Sequence, residues 1–269
     1  MKRIVWTTDI HLDFVREENL LQFLEQLQAA QADALLFSGD IGESNNVTDY
    51  LSQLAAAVNC PTYFVLGNHD FYQGSIGEVR QQVKSFCDDH ESLHYLTESD
   101  FFPLSDQVGL VGHDGWADGR IGDYESSDVM MNDYQLIKEL APHSKLERWP
   151  ILKALGDEAA AHIERVLPLA LKQFSELYLV THIPPLREAC WHNDQISDDE
   201  WAPHFTCQAV GESILSIMRQ HPDQQLTVLC GHTHSSGTTQ PLPNVTILTG
   251  PAQYGSPEIT EIFEIGSTG

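Results

Sequence analysis

Residues 61–70 read Pro61-Thr62-Tyr63-Phe64-Val65-Leu66-Gly67-Asn68-His69-Asp70. Tyr63 to Leu66 is a short apolar run bounded by Pro61 and Gly67, the pattern of a buried strand. It gives way at once to an amide, an imidazole and a carboxylate. The same arrangement occurs twice upstream. Ile4 to Trp6 runs into Thr7-Thr8-Asp9-Ile10-His11, and Ala34 to Phe37 runs into Ser38-Gly39-Asp40. Between these strands, Leu20, Phe23, Leu24 and Leu27 give Glu17–Ala30 one apolar helical face, and Leu51, Leu54 and Val58 do the same for Val47–Val58. Strands alternating with helices imply parallel strands joined by crossovers, an α/β arrangement. The polar residues then gather at the carboxyl ends of the strands, where open α/β sheets bind ligands.

The pattern continues downstream with less regularity. Val108–Val111 reads as a strand, and residues 114–135 as an acidic loop broken by glycine. A helix is expected from about Trp149 to Phe174, kinked or broken at Pro168. Leu177–Val180 is a strand ending in Thr181-His182. Residues 186–205 are irregular and polar, with Trp191 and Trp201 embedded. A helix at Gln208–Arg219 precedes the strand Leu226–Leu229, which ends in Cys230-Gly231-His232. Val245–Leu248 and Ile259–Ile265 read as closing strands. No repeat interrupts the chain, so one domain over residues 1–269 is expected, with insertions at about 114–148 and 186–205.

Six strand ends carry the chemistry: Asp9-Ile10-His11, Gly39-Asp40, Gly67-Asn68-His69-Asp70, Gly112-His113, Thr181-His182 and Gly231-His232-Thr233-His234. Each alone is weak, since Gly-Asp is a common turn and Asp-x-His is usually a surface bend. Their joint occurrence in this order, each after an apolar run, argues for a shared site. Residues two apart point to one side of a strand, so Asp9 with His11, and His232 with His234, can converge on one ion. Carboxylate, imidazole and amide oxygen suit Mn, Fe or Zn, and no thiolate is offered. The set exceeds the needs of one ion. Two ions sharing a carboxylate is the economical count, and Asp40, alone between two groups of ligands, is the natural bridge.

This ordered set resembles the calcineurin-like metallophosphoesterase superfamily, with its sequence of D-x-H, G-D, G-N-H-D/E, H and G-H-x-H motifs. The resemblance spans Asp9 to His234. It implies a β-sandwich flanked by helices, with metals at the carboxyl-terminal ends of the strands. It also implies that Asp9, His11, Asp40 and His234 hold one divalent or trivalent ion, and that Asp40, Asn68, His182 and His232 hold the other. His69 would contact phosphate or act as general acid, with Asp70 orienting its ring. The implied reaction is in-line attack on phosphorus by a water or hydroxide bridging the two ions. Asp40 is followed by Ile41-Gly42-Glu43-Ser44 rather than Val-Asp-Arg-Gly, so the phosphate-clamping arginine of the protein Ser/Thr phosphatases is absent.

Charge narrows the substrate. The chain of 269 residues has 14 Lys+Arg against 39 Asp+Glu, a net charge of −25, which repels long nucleic acid and anionic membranes. Few basic residues are available to hold a dianionic monoester, so a small phosphodiester is expected as substrate, with a phosphomonoester or nucleotide pyrophosphate as alternatives. A nuclease and a catalytically silent regulatory module are the remaining readings. His113, Arg120, Trp191 and His192 are candidate substrate contacts, and residues 186–205, with Trp191 and Trp201, a candidate lid. The five cysteines lack C-x-x-C spacing, and neither a leader nor a run of ~18 apolar residues is read. The expectation is a cytoplasmic enzyme with free thiols and no membrane partner.

Overall fold

The computed structural model describes residues 1–266. Its strands are β1 (Lys2–Thr7), β2 (Ala34–Ser38), β3 (Thr62–Val65), β4 (Leu93–Tyr95), β5 (Phe102–Pro103), β6 (Val108–His113), β7 (Glu176–Thr181), β8 (Trp191–His192), β9 (Gln195–Ile196), β10 (Gln225–Cys230), β11 (Gly237–Leu242), β12 (Val245–Thr249) and β13 (Glu261–Ile265). The helices are α1 (Glu17–Ala30), α2 (Val47–Ala57), α3 (Ile76–Asp88), α4 (Asp133–Leu136), α5 (Lys145–Leu171), α6 (Ala202–Phe205) and α7 (Gln208–Met218).

Two mixed sheets form the centre, ordered β13-β1-β2-β3-β4 and β11-β12-β10-β7-β6-β5. In each, a parallel core is flanked by antiparallel pairing: β13 beside β1, and β11 and β5 at the two edges of the second sheet. Alternation along the strands explains the layering. Ile4, Trp6, Leu36 and Val65 from the first sheet face Leu110, Tyr178, Val180 and Leu229 from the second in a common core. The intervening residues Val5, Leu35, Phe37 and Phe64 point outward and pack under α1, α2 and α3. Leu177, Leu179 and Val228 do the same under α5 and α7. Buried side chains of this size typically contribute about 2–5 kcal/mol each, judged by truncation to alanine. The result is helices, two packed sheets and helices again, the sandwich expected from the sequence.

Several elements depart from the sequence reading. Helix α3 was not anticipated, because Arg80, Gln81, Gln82 and Lys84 dilute the apolar spacing of Ile76, Val79 and Val83. Helix α5 begins at Lys145, four residues before Trp149, where Ser144 and Glu147 form a capping box. It runs unbroken through Pro168 to Leu171. The segment 186–205 is more ordered than expected, with a 3-10 turn at Arg187–Ala189, the β8–β9 hairpin and α6. No helix among the described residues is long and apolar enough to cross a membrane.

Candidate metal centre

Because β1, β2 and β3 are parallel, and β7 and β10 are parallel, their carboxyl ends deliver five polar loops to one edge of the sandwich. The backbone there is strained. Nine described residues other than glycine have positive φ, and five of them are Asp9, His11, Asp40, His232 and His234. Such conformations cost about 1–3 kcal/mol each and persist where function over-determines them. The loops also lie very close together. A Cβ on Gly67 would collide with the Asp40 carboxylate, and one on Gly231 with that of Asp9. These contacts give the motif glycines their physical reason.

Two sets of donor atoms result. In the first, one atom each from Asp9, His11, Asp40 and His234 lie within 4.8 Å of one another. His11 Nε2 is 3.1 Å from His234 Nε2, which is 3.4 Å from Asp9 Oδ1. In the second, Asn68 Oδ1 lies 3.0 Å from His182 Nε2 and 2.9 Å from His232 Nδ1, and those nitrogens are 3.2 Å apart. Asp40 Oδ2 faces both sets, at 3.6 Å from His11 Nε2 and 3.4 Å from His182 Nε2. Its Oδ1 accepts the His69 backbone N–H at 2.9 Å. Bridging is therefore open to Asp40.

The surrounding bonds orient these atoms. His182 Nδ1 donates to the Ser38 carbonyl at 2.8 Å, and His232 Nε2 donates to the His204 carbonyl at 3.2 Å, freeing the opposite nitrogen of each ring to bind a cation. The Asn68 amide donates to Asp133 Oδ1 at 2.8 Å, and the Tyr72 hydroxyl donates to the same oxygen at 2.9 Å. Asn68 Oδ1 is thereby turned toward the imidazoles. Asp9, Asp40, Asp70 and Asp133 are all buried. Among the described residues, neither Lys nor Arg forms an ion pair with any of them.

The donor set fits metal cations. Ligands held by one ion at about 2.0–2.1 Å come within about 3 Å of each other, the spacing seen here. Without a cation the carboxylates and imidazoles set one another's protonation. Burial works to raise Asp40, but the His182 and His69 imidazoles hold it well below the usual carboxylate range. Burial opposes charging of His182 as well, yet Asp40 and Asp9 push it up to about 10. Burial lowers His11 to about 4, and burial with the charge of His182 lowers His232 to about 3.

The remaining predicted residues divide. His69 lines a cavity of about 220 Å³ whose wall includes Asp40, Asn68, His232 and His234. Its ring packs edge-on against His11, with centroids 4.5 Å apart, and its Nδ1 is enclosed without a partner. Asp70 does not orient that ring. Its Oδ1 accepts the N–H groups of Ile41 and Gly42 at 2.9 and 2.8 Å, and its Oδ2 accepts that of Gly67 at 2.8 Å. The carboxylate is occupied in fastening the Asp40 loop to the Asn68 loop.

Of the candidate substrate contacts, His192 lines the cavity, as does Trp201. His113, Arg120 and Trp191 do not. His113 is buried at the end of β6 against His162, with its Nδ1 accepting the Gly115 N–H. Arg120 is held by Asp118 at 2.9 Å and Asp157 at 2.7 Å. Trp191 packs over Gly237, where a Cβ would collide with its indole. The segment 186–205 is not a free lid, since Ala189, Cys190, Ala202, His204 and Phe205 are buried. His204 ties it to the 114–148 segment, accepting from the Tyr134 hydroxyl at 2.5 Å and bonding Ser127 Oγ at 2.9 Å.

Sequence reasoning missed Met131, Phe205 and Tyr254 in the cavity wall and Asp133 behind Asn68. None belongs to a motif. Thr233, also in the wall, sat inside the His232-x-His234 pair and was legible there.

Residues 2–236 match the family model described as calcineurin-like phosphoesterase. The chain belongs to that family. It is a metal-dependent phosphoester hydrolase, and all seven candidate ligands fall within the matched residues. The phosphoesterase is similar in fold to a phosphopantetheinyl hydrolase from Mycobacterium tuberculosis, at 15% identity and a TM-score of 0.68, over 94% of this chain and 89% of that one. It is also similar to a dimetal phosphatase from Danio rerio, at 17% identity and a TM-score of 0.57, over 93% of this chain and 87% of that one. No curated protein sequence matches it.

Proposed function

We propose that this phosphoesterase hydrolyses a small phosphodiester with two metal ions. Asp9, His11, Asp40 and His234 would hold one ion, and Asp40, Asn68, His182 and His232 the other. Bound there, the ions supply Lewis acidity toward phosphoryl oxygens and acidify water at neutral pH. Asp133 keeps the Asn68 amide oxygen directed at the pair. His69 delivers a proton from Nε2, the nitrogen on the Tyr254 side, to the departing ester oxygen; its Nδ1 is enclosed.

The observation that carries the choice of a diester is the composition of the cavity wall. It includes the donor residues Asp40, Asn68, His232 and His234, His69 and several apolar or aromatic side chains, but no Lys or Arg. A phosphomonoester bears close to two negative charges near neutral pH and is usually held by arginine forks. Arg120, the candidate clamp, is engaged by Asp118 and Asp157. A diester bears one charge, within reach of two cations. Fold likeness does not choose between these substrates, since one structural neighbour is a phosphatase and another a phosphopantetheinyl hydrolase.

The test is kcat/KM for bis(p-nitrophenyl) phosphate and p-nitrophenyl phosphate with Mn²⁺ added. The diester is expected to be preferred. A monoester preference of about tenfold, a difference of about 1.4 kcal/mol in transition-state binding, overturns the reading.

A further inference from the structure

The cavity beside the metal donors has two unlike sides. On one, His69 and Tyr254 stand together, with the Tyr254 hydroxyl 3.5 Å from His69 Nε2. On the other is a group of rings from the 186–205 segment. His192 and Trp201 have centroids 5.0 Å apart, and Trp201 stacks on Phe205 at 5.3 Å with planes inclined by 26°. Phe205 in turn meets the ring of His232 edge-on at 5.1 Å. Ring–ring contact and the burial of Phe205 hold this group in place, so it can offer an aromatic face at little entropic cost on binding.

We propose that the His192–Trp201–Phe205 group is a specificity subsite for a planar, uncharged aromatic ring on the ester arm that stays on phosphorus. The inference rests on the phosphodiesterase reading of the site and adds the class of arm. Three observations carry it. The ring group lies against His232 and not against His69, so with His69 on the departing side it stands beside the retained arm. The wall has no Lys or Arg, so a second phosphate on that arm would find no counter-charge. The cavity, at about 220 Å³, is smaller than the ~300–1,000 Å³ of ordinary ligand sites. It has space for the phosphoryl group and one ring, which leaves the departing arm to the open side at Tyr254, itself 48% exposed.

The experiment uses p-nitrophenyl phosphodiesters that share one leaving group and differ in the retained arm: methyl, phenyl or the 5′-carbon of thymidine. The leaving-group chemistry is then constant. Base-type stacking on an aromatic side chain is worth about 1–3 kcal/mol. The phenyl and thymidine esters should therefore exceed the methyl ester in kcat/KM by about tenfold or more. Trp201→Ala and His192→Ala should bring that ratio toward one, and Trp201→Phe should keep most of it. The ratio is taken within one preparation, so partial misfolding of a variant does not alter it. A wild-type ratio near one, or an unchanged ratio in Trp201→Ala, overturns the subsite while leaving the phosphodiesterase reading intact. Failure of the metal-loaded wild type to hydrolyse any of the three removes that reading, and the subsite with it.

Discussion

The Nε2 atoms of His11 and His234 stand 3.1 Å apart. They come from the ends of different strands, β1 and β10, in different sheets. Two imidazole lone pairs at this distance repel unless a proton or a cation lies between them. Asp40 Oδ2 lies 3.6 Å from His11 Nε2 and 3.4 Å from His182 Nε2, so one oxygen is within reach of both donor sets. Asp40→Asn is expected to weaken both sites together, and elemental analysis after dialysis should show both ions depleted. Loss of one ion with the other at full occupancy contradicts the bridging role.

His69 hydrogen-bonds to the donor sets through its backbone N–H, and its ring only packs against that of His11. His69→Ala should therefore keep metal content near wild type while turnover falls by about 10²–10⁴, the usual span for a positioned acid. The loss should shrink for esters with good leaving groups, which need less protonation. Depletion of metal in this variant would identify the ring as a ligand.

Asp70 joins two ligand-bearing loops through three backbone N–H groups. Asp70→Asn replaces one acceptor by an NH₂ group that faces a backbone donor. A buried group left without its partner costs about 1–3 kcal/mol, so the urea midpoint should fall along with activity. An unchanged midpoint with reduced turnover would restore a direct role for Asp70 on the His69 ring.

Buried His113 and half-buried His162, with ring centroids 5.0 Å apart, give the fold an acid-sensitive point outside the metal donors. Burial, aided by Arg165, lowers His162 to about 4, and burial with Arg80 holds His113 well below the ordinary histidine value. Below about pH 6.5 the unfolded chain binds protons that the folded chain refuses. This contribution to stability is therefore full above about pH 6.5 and is lost as pH falls toward 4. Urea unfolding of wild type and His162→Gln across this range should show a shallower pH dependence in the variant, by up to about one proton. Parallel curves would show that His162 carries no such linkage.

The parts of the fold that could be read in the sequence are those where short-range pattern and tertiary role coincide. The apolar runs at Ile4, Ala34 and Tyr63 end abruptly in polar residues because the strands stop where the loops must approach each other. The glycines of those loops record the same closeness. Helix α3 was obscured because its buried face is only Ile76, Val79 and Val83 in an otherwise polar stretch, although Ser75 marks its start by accepting the Glu78 N–H. The Ser144–Glu147 capping box likewise announced α5, four residues before the expected start at Trp149. Tyr254 and Asp133 reach the site only through packing across the chain, Tyr254 within 4.5 Å of the His11 ring and Asp133 behind Asn68. Nothing in their neighbouring residues marks them.

Hydrolysis should need both donor sets filled, which a metal titration can decide. Protein freed of metal by a chelator is titrated with Mn²⁺ while bound metal and hydrolysis of bis(p-nitrophenyl) phosphate are followed together. Saturation is expected at two ions per chain, with activity rising as the second ion binds, and neither response in Asp40→Asn. Full activity at one ion per chain, with no further binding, would contradict it.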